Sequence, residues 1–162
     1  MQVTKLIEDF PKGNPPIQLD VFKALDHYIG LENVYEIRGS LNFTVIMDGT
    51  PFIFIDKNLP YKRKHFILTH ELVEYLLEVN KSVYSIQYYL YKGMDKKFQS
   101  KINTIVSQLL MPENVIKNIV DKTLLYAGHI SCDLINELSD FFAVSKTAVK
   151  VRLKKLGYEV LI

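Results

Sequence analysis

Residues 62–78 constrain the fold more than any other stretch of the chain. Phe66, Ile67, Leu68, Leu72, Val73, Leu76 and Leu77 fall on nearly every side of a helix with 3.6 residues per turn, so the helix predicted from Lys62 to Glu78 has no broad polar face. Such a helix has to be covered by other elements around most of its circumference. Yet it carries His70, Glu71 and Glu74 inside that apolar surround. Burying ionisable groups without partners costs several kcal/mol each, so these three need a metal, one another, or water in a cleft. An exposed polar stripe at i, i+4 is the commoner fate of such residues in isolation. The flanking apolar positions leave such a stripe too little solvated face here.

The remaining segments supply the cover. At 162 residues and 48% hydrophobic the chain can bury one sizeable core and not two, which predicts a single domain over 1–162. Residues 11–16, dense in proline and glycine, read as a loop that hands over to a helix through Ile17, Val21, Ala24, Leu25 and Tyr28, ended by Gly30. From Tyr35 the period shifts toward two. Residues 43–47 and 51–55 flank Asp48-Gly49, a strong hairpin signal, and predict a small antiparallel sheet. Residues 84–91 are aromatic and fit strand or helix. Beyond Gly93 a helix through Phe98, Ile102, Ile105 and Leu109 runs until Pro112, and another continues to about Leu125. Residues 133–142, a turn at 143–145 and residues 147–156 form a helix-turn-helix pattern, with Ser145 as N-cap and Gly157 as C-cap. Residues 158–162 read as a short closing strand. The expected fold class is α+β: a small antiparallel sheet and a buried motif helix in a core over 1–129, then a C-terminal helix-turn-helix over 130–162.

The 20 basic and 18 acidic residues leave a net charge of +2, so no global field points to nucleic acid or a membrane surface. No run is long enough to span a bilayer, and residues 1–10 carry acids without a charged-then-apolar leader. The expected location is the cytoplasm. The single cysteine, Cys132, cannot form an intramolecular disulfide, which fits a reducing compartment, and with no CxxC or adjacent histidine it reads as a buried or idle thiol. Lys146, Lys150 and Lys154 recur at i, i+4, i+8 and could bind phosphate or a partner, although a solvated face opposite Val149, Leu153 and Leu156 is the preferred reading. No Asn, Gln or Arg sits early in the last helix to read base edges, so sequence-specific nucleic-acid binding is not expected.

His70-Glu71-Leu72-Val73-Glu74 differs by one residue from HExxH, the helical pattern in which two histidines on one face hold Zn²⁺ and the glutamate acts as general base. A hydrogen bond between His70 and Glu74 with no metal is an equally open reading of the residues. His65, five residues earlier, falls well around the helix and reads as solvated or loop-facing, and His27 and His129 lack partners at ligand spacing.

Four segments in order resemble the ImmA/IrrE metallopeptidases, small cytosolic proteins of bacteria and their mobile elements. Ile53-Phe54-Ile55-Asp56 with Leu59-Pro60 looks like the strand ahead of the family's active helix, and residues 62–72 are similar to its basic, aromatic lead into TLAHELGH. Asn103 with Leu109-Leu110-Met111-Pro112 resembles ANxFAxxLLMP. Leu138, Phe141, Val144-Ser145, Ala148-Val149, Arg152-Leu153 and Leu156-Gly157 resemble the family's terminal unit. The likeness covers about residues 45–157 and implies a zincin-like fold.

The resemblance puts His70 at the first zinc ligand, Glu71 at the general base, and Glu74 where the second histidine belongs, with Val73 replacing the preceding glycine. It implies a third ligand, a glutamate shortly before Asn103, where this chain has Gln99 and Lys101; Asp95, one turn before Gln99, is the nearest acid. Catalytic zinc takes three protein ligands, so with His70 and Glu74 alone Zn²⁺ binding is expected to be weak or absent. A set of His70, Glu74 and Asp95 would be harder and suit Mn²⁺ or Fe²⁺ better. Two functions follow from the resemblance. One is a metallopeptidase-like protein with a divergent site acting on a protein, in the family a repressor of a phage or mobile element. The other is a non-enzymatic pseudoenzyme that keeps the cleft to hold a regulator. A DNA-binding regulator, the third class, rests on the lysine stripe alone.

Overall fold

The computed structural model describes residues 3–39, 41–78 and 96–160. Helix α1 (Val3–Asp9) leads into strands β1 (Pro11–Lys12) and β2 (Gln18–Leu19), which pair antiparallel across what the sequence marks as loop. Helix α2 (Val21–Tyr28) begins later than its apolar period implies, because the Asp20 side chain caps it by accepting from the Lys23 amide and Ile17 stays outside. Gln18 explains why the chain is extended there. With its amide oriented to match its neighbours, the buried nitrogen donates to the Leu110 and Phe142 carbonyls, at 2.9 and 3.2 Å, and the oxygen accepts from Lys12 Nζ.

A short 3₁₀ turn (Leu31–Asn33) delivers β3 (Val34–Ile37), and β4 (Phe43–Met47) and β5 (Thr50–Asp56) form the expected hairpin. The sheet order is β3-β5-β4, with β3 parallel and β4 antiparallel to β5. The wholly antiparallel sheet read from the sequence is thus corrected to a mixed one. A hairpin signal fixes only the two strands it joins, and nothing in the connection over residues 38–42 says that β3 pairs with the far edge of β5. Pro51, Ile53 and Ile55 of β5 are buried, while Phe52 and Phe54 lie on the opposite face, where Phe54 stacks on Tyr35 and Phe43.

Helix α3 (Tyr61–Glu78) is the motif helix. It packs on β4 and β5, on α2, and on α4 (Lys96–Leu110), and residues 68–74 are buried without a break. Helix α5 (Glu113–Ala127) follows Pro112 and ends on Gly128 in the left-handed region. The last two helices, α6 (Cys132–Phe141) and α7 (Lys146–Lys155), are each capped by a serine, Ser131 and Ser145. Arg152, buried on α7, donates from Nε to the Met111 carbonyl and fixes that helix to the end of α4.

Two smaller expectations fail. Residues 158–160 are not a strand: the Tyr158 amide donates to the Leu153 carbonyl to close α7, and its hydroxyl donates to Asp121. Cys132, read as a buried or idle thiol, is exposed in the first turn of α6, so the burial half of that reading is the part that fails. The aromatic segment 84–91 and residues 161–162 lie outside the described residues.

Candidate functional site

The period-two pattern of β4 turns Thr44 inward, opposite Ile53 in register, and so onto the face that meets α3. There the Thr44 hydroxyl donates to Glu71 Oε2 at 2.7 Å, and both side chains are buried. One residue earlier on α3, His70 Nδ1 lies 3.1 Å from Asn103 Oδ1 on α4. An amide oxygen only accepts, so Nδ1 carries the proton of this bond and Nε2 is left for a neighbour. That neighbour is Glu74, one turn on, whose Oε2 stands 3.5 Å from His70 Nε2. Among the described residues Glu74 Oε1 is buried with no hydrogen-bond partner. His70, Glu71 and Glu74 each offer one ligand atom within 4.8 Å of the others.

Burial of the Glu71 carboxyl pushes its pKa up to about 7, against the Thr44 hydrogen bond, which favours the charged form; the nearby Glu74 charge adds to the rise. Burial opposes the charge on His70, but the Glu74 hydrogen bond and the charges of Glu71 and Glu74 outweigh it and raise its pKa. His70 and Glu71 therefore both hold a proton more readily than the free side chains do, in one buried cluster.

His70 and Glu71 of the cluster lie on the floor of a cleft of about 790 Å³. Phe66 and Ile67 of α3 and Ala148 and Val151 of α7 line it, with Asn103 and Ser107 from α4 and Leu41 and Asn42 beside β4. Lys62, Arg63 and Lys155 stand among the lining. Lys62 Nζ is held by Ser139 Oγ and Asp140 Oδ1, and Lys155 Nζ donates to Thr104 Oγ1.

Of the residues singled out in the sequence, His70, Glu71 and Glu74 come together. Gln99, one turn before Asn103 on α4, is half-buried with its Oε1 enclosed, and Asp95 lies outside the described residues. Lys146 and Lys154 are exposed and Lys150 is half-buried; α7 instead gives the cleft Thr147, Ala148, Val151 and Lys155. His65 is loop-facing and not solvated. It is 3% exposed, with Nδ1 against the Ala143 carbonyl at 3.1 Å, so it ties α3 to the α6–α7 turn. Burial lowers its pKa. His27 sits among the rings of Phe10 and Tyr28, and His129 is exposed. The sequence reading missed Thr44, although strand alternation alone places that hydroxyl on the inner face.

The family described as the IrrE N-terminal-like domain, a peptidase family, matches residues 23–154. No curated protein matches the chain.

Proposed function

The chain belongs to the IrrE N-terminal-like family of peptidases, and on that premise we propose that it holds a segment of a protein partner in the cleft, over a metal site that has drifted from hydrolysis. The observation that carries this reading is Glu74 standing against His70 Nε2, at the place where the helical pattern calls for a second imidazole. By the family resemblance the third-ligand place on α4 falls at Gln99 or Lys101, and neither substitutes well for a carboxylate.

The donors fit a divalent cation only in part. His70 Nε2 and Glu74, whose Oε1 is buried without a hydrogen-bond partner among the described residues, would hold it, and the bound ion would supply a Lewis acid and a water of lowered pKa. Glu71, oriented by Thr44 and with its pKa near 7, is suited to accept a proton as general base. The same carboxylate is also the nearest third donor. If Glu71 ligates, the site gains a third ligand and loses its base, and a carboxylate-rich set of this kind suits Mn²⁺ or Fe²⁺ better than zinc.

In this reading the zincin-like core is a scaffold in the cytoplasm, and the α6–α7 helix-turn-helix serves as a wall of the cleft and not as a reader of DNA. The partner class that the family implies is a transcriptional repressor. A slow hydrolase is the second reading, favoured by the intact pairing of Glu71 with Thr44. Metal content of the purified protein by mass spectrometry, with hydrolysis of a fluorogenic casein, separates the two. Substoichiometric zinc and no hydrolysis at added zinc support the holding function. Stoichiometric zinc with cleavage abolished by Glu71→Gln establishes the hydrolase.

A further inference from the structure

We propose that the cleft selects an acidic segment of its protein partner, with carboxylates flanking an apolar residue. This rests on the reading of the cleft as a peptide-holding surface and adds the chemistry of what it holds. The argument is charge complementarity across the two walls. Arg63 projects from α3 and Lys155 from α7, and among the described residues the lining has one carboxylate, Glu71, which is buried on the floor under the Thr44 hydroxyl. Lys62, the third cation of the lining, is already neutralised by Asp140. Among the described residues Lys155 has a hydroxyl and no acid as its hydrogen-bond partner. The same lining carries apolar side chains from both helices, Ile67 of α3 and Val151 of α7, and Val151 is half exposed although it is aliphatic.

A segment that laid a side chain between those walls would cover the apolar surface and bring its flanking residues to Arg63 and Lys155. Carboxylates there gain two ion pairs at the rim, whereas lysines meet like charge. Phosphates are the poorer occupant, since among the described residues the lining offers one phenyl ring, Phe66, beside aliphatic surface and a buried acid, where a nucleic acid would want several stacking planes and further cations.

The test is selection of random dodecapeptides displayed on phage against the full chain. Binders are kept when they are lost on Ala148→Trp or on Val151→Trp, each of which fills the cleft from α7; Val151 is exposed enough for the second to fold. The expected consensus is rich in Asp and Glu on either side of an apolar residue, and its binding weakens as salt rises. Arg63→Glu with Lys155→Glu should weaken that consensus about tenfold and select basic peptides in its place, while Lys57→Glu with Lys122→Glu leaves it unchanged. Cleft-dependent binders with a neutral or basic consensus would overturn the proposal and leave the holding function standing. Binders indifferent to both tryptophan variants would remove the holding function as well. Displacement of the peptides by an oligodeoxynucleotide of equal charge would assign the rim to phosphates and overturn the proposal.

Discussion

Replacing Glu71 by glutamine should make the metal-free protein more stable at alkaline pH and leave it nearly unchanged in acid. Glu71 is buried under Thr44, and its pKa rises from the 4.5 of a free glutamate to about 7. The folded state therefore holds the proton more tightly than the unfolded chain does. Stability is fully present below the unfolded pKa and is lost as pH climbs through the folded one. At 1.36 kcal/mol per unit, that shift corresponds to about 3 kcal/mol lost by pH 8. Relaxation around the charge makes this the ceiling. His70, whose pKa is also raised, loses stability in the same direction, and the Glu71 charge is one cause of its shift. Glutamine keeps an oxygen for the Thr44 hydroxyl and has no charge to bury. Urea unfolding in chelator between pH 5 and pH 8 should show a falling profile for the parent and a flatter one for Glu71→Gln, with the gap approaching about 3 kcal/mol at the alkaline end. Parallel profiles, or a variant weaker than the parent at pH 8, would refute the claim that Glu71 is strained by burial.

Three further outcomes follow from the packing. Leu72 is fully buried on α3, and Leu72→Ala should cost about 3 kcal/mol in urea unfolding at pH 6, where a change below about 1 kcal/mol would show that the motif helix is not central. Ser145→Ala removes the acceptor for the Ala148 amide at the start of α7 and should cost about 1 kcal/mol, read as a lower midpoint at unchanged slope. Gel shifts should find no duplex preferred by sequence, because α7 turns Thr147, Ala148, Val151 and Lys155 into the cleft; a preference that survives moderate salt would contradict this.

The motif helix was legible because burial and charge conflict along it, and that conflict needs no knowledge of the fold. His70, Glu71 and Glu74 could be placed in one cluster from helical spacing alone. Thr44 and Asn103, which orient Glu71 and His70, come from residues 27 and 33 positions away, and such pairings depend on which strand and helix pack on α3. His65, solvated or loop-facing from the sequence, stays undecided there for the same reason. Its angle around α3 is fixed by sequence, but what lies at that angle is the Ala143 carbonyl from the α6–α7 turn, 78 residues on. β3 shows the limit for topology: its residues mark a strand, and its parallel pairing with β5 has no local signature.

The central claim is that the site is a metallopeptidase site weakened at its ligands while its scaffold stayed in place. Competitive titration against a zinc chelator of the parent, Glu74→His, Gln99→Glu and the double variant tests it most directly. Zinc affinity depends on ligand number and geometry, so the double variant should bind much more tightly than the parent and each single change should help less. Tight zinc in the parent that Glu74→His weakens would contradict the account, because Glu74 would then be a working ligand.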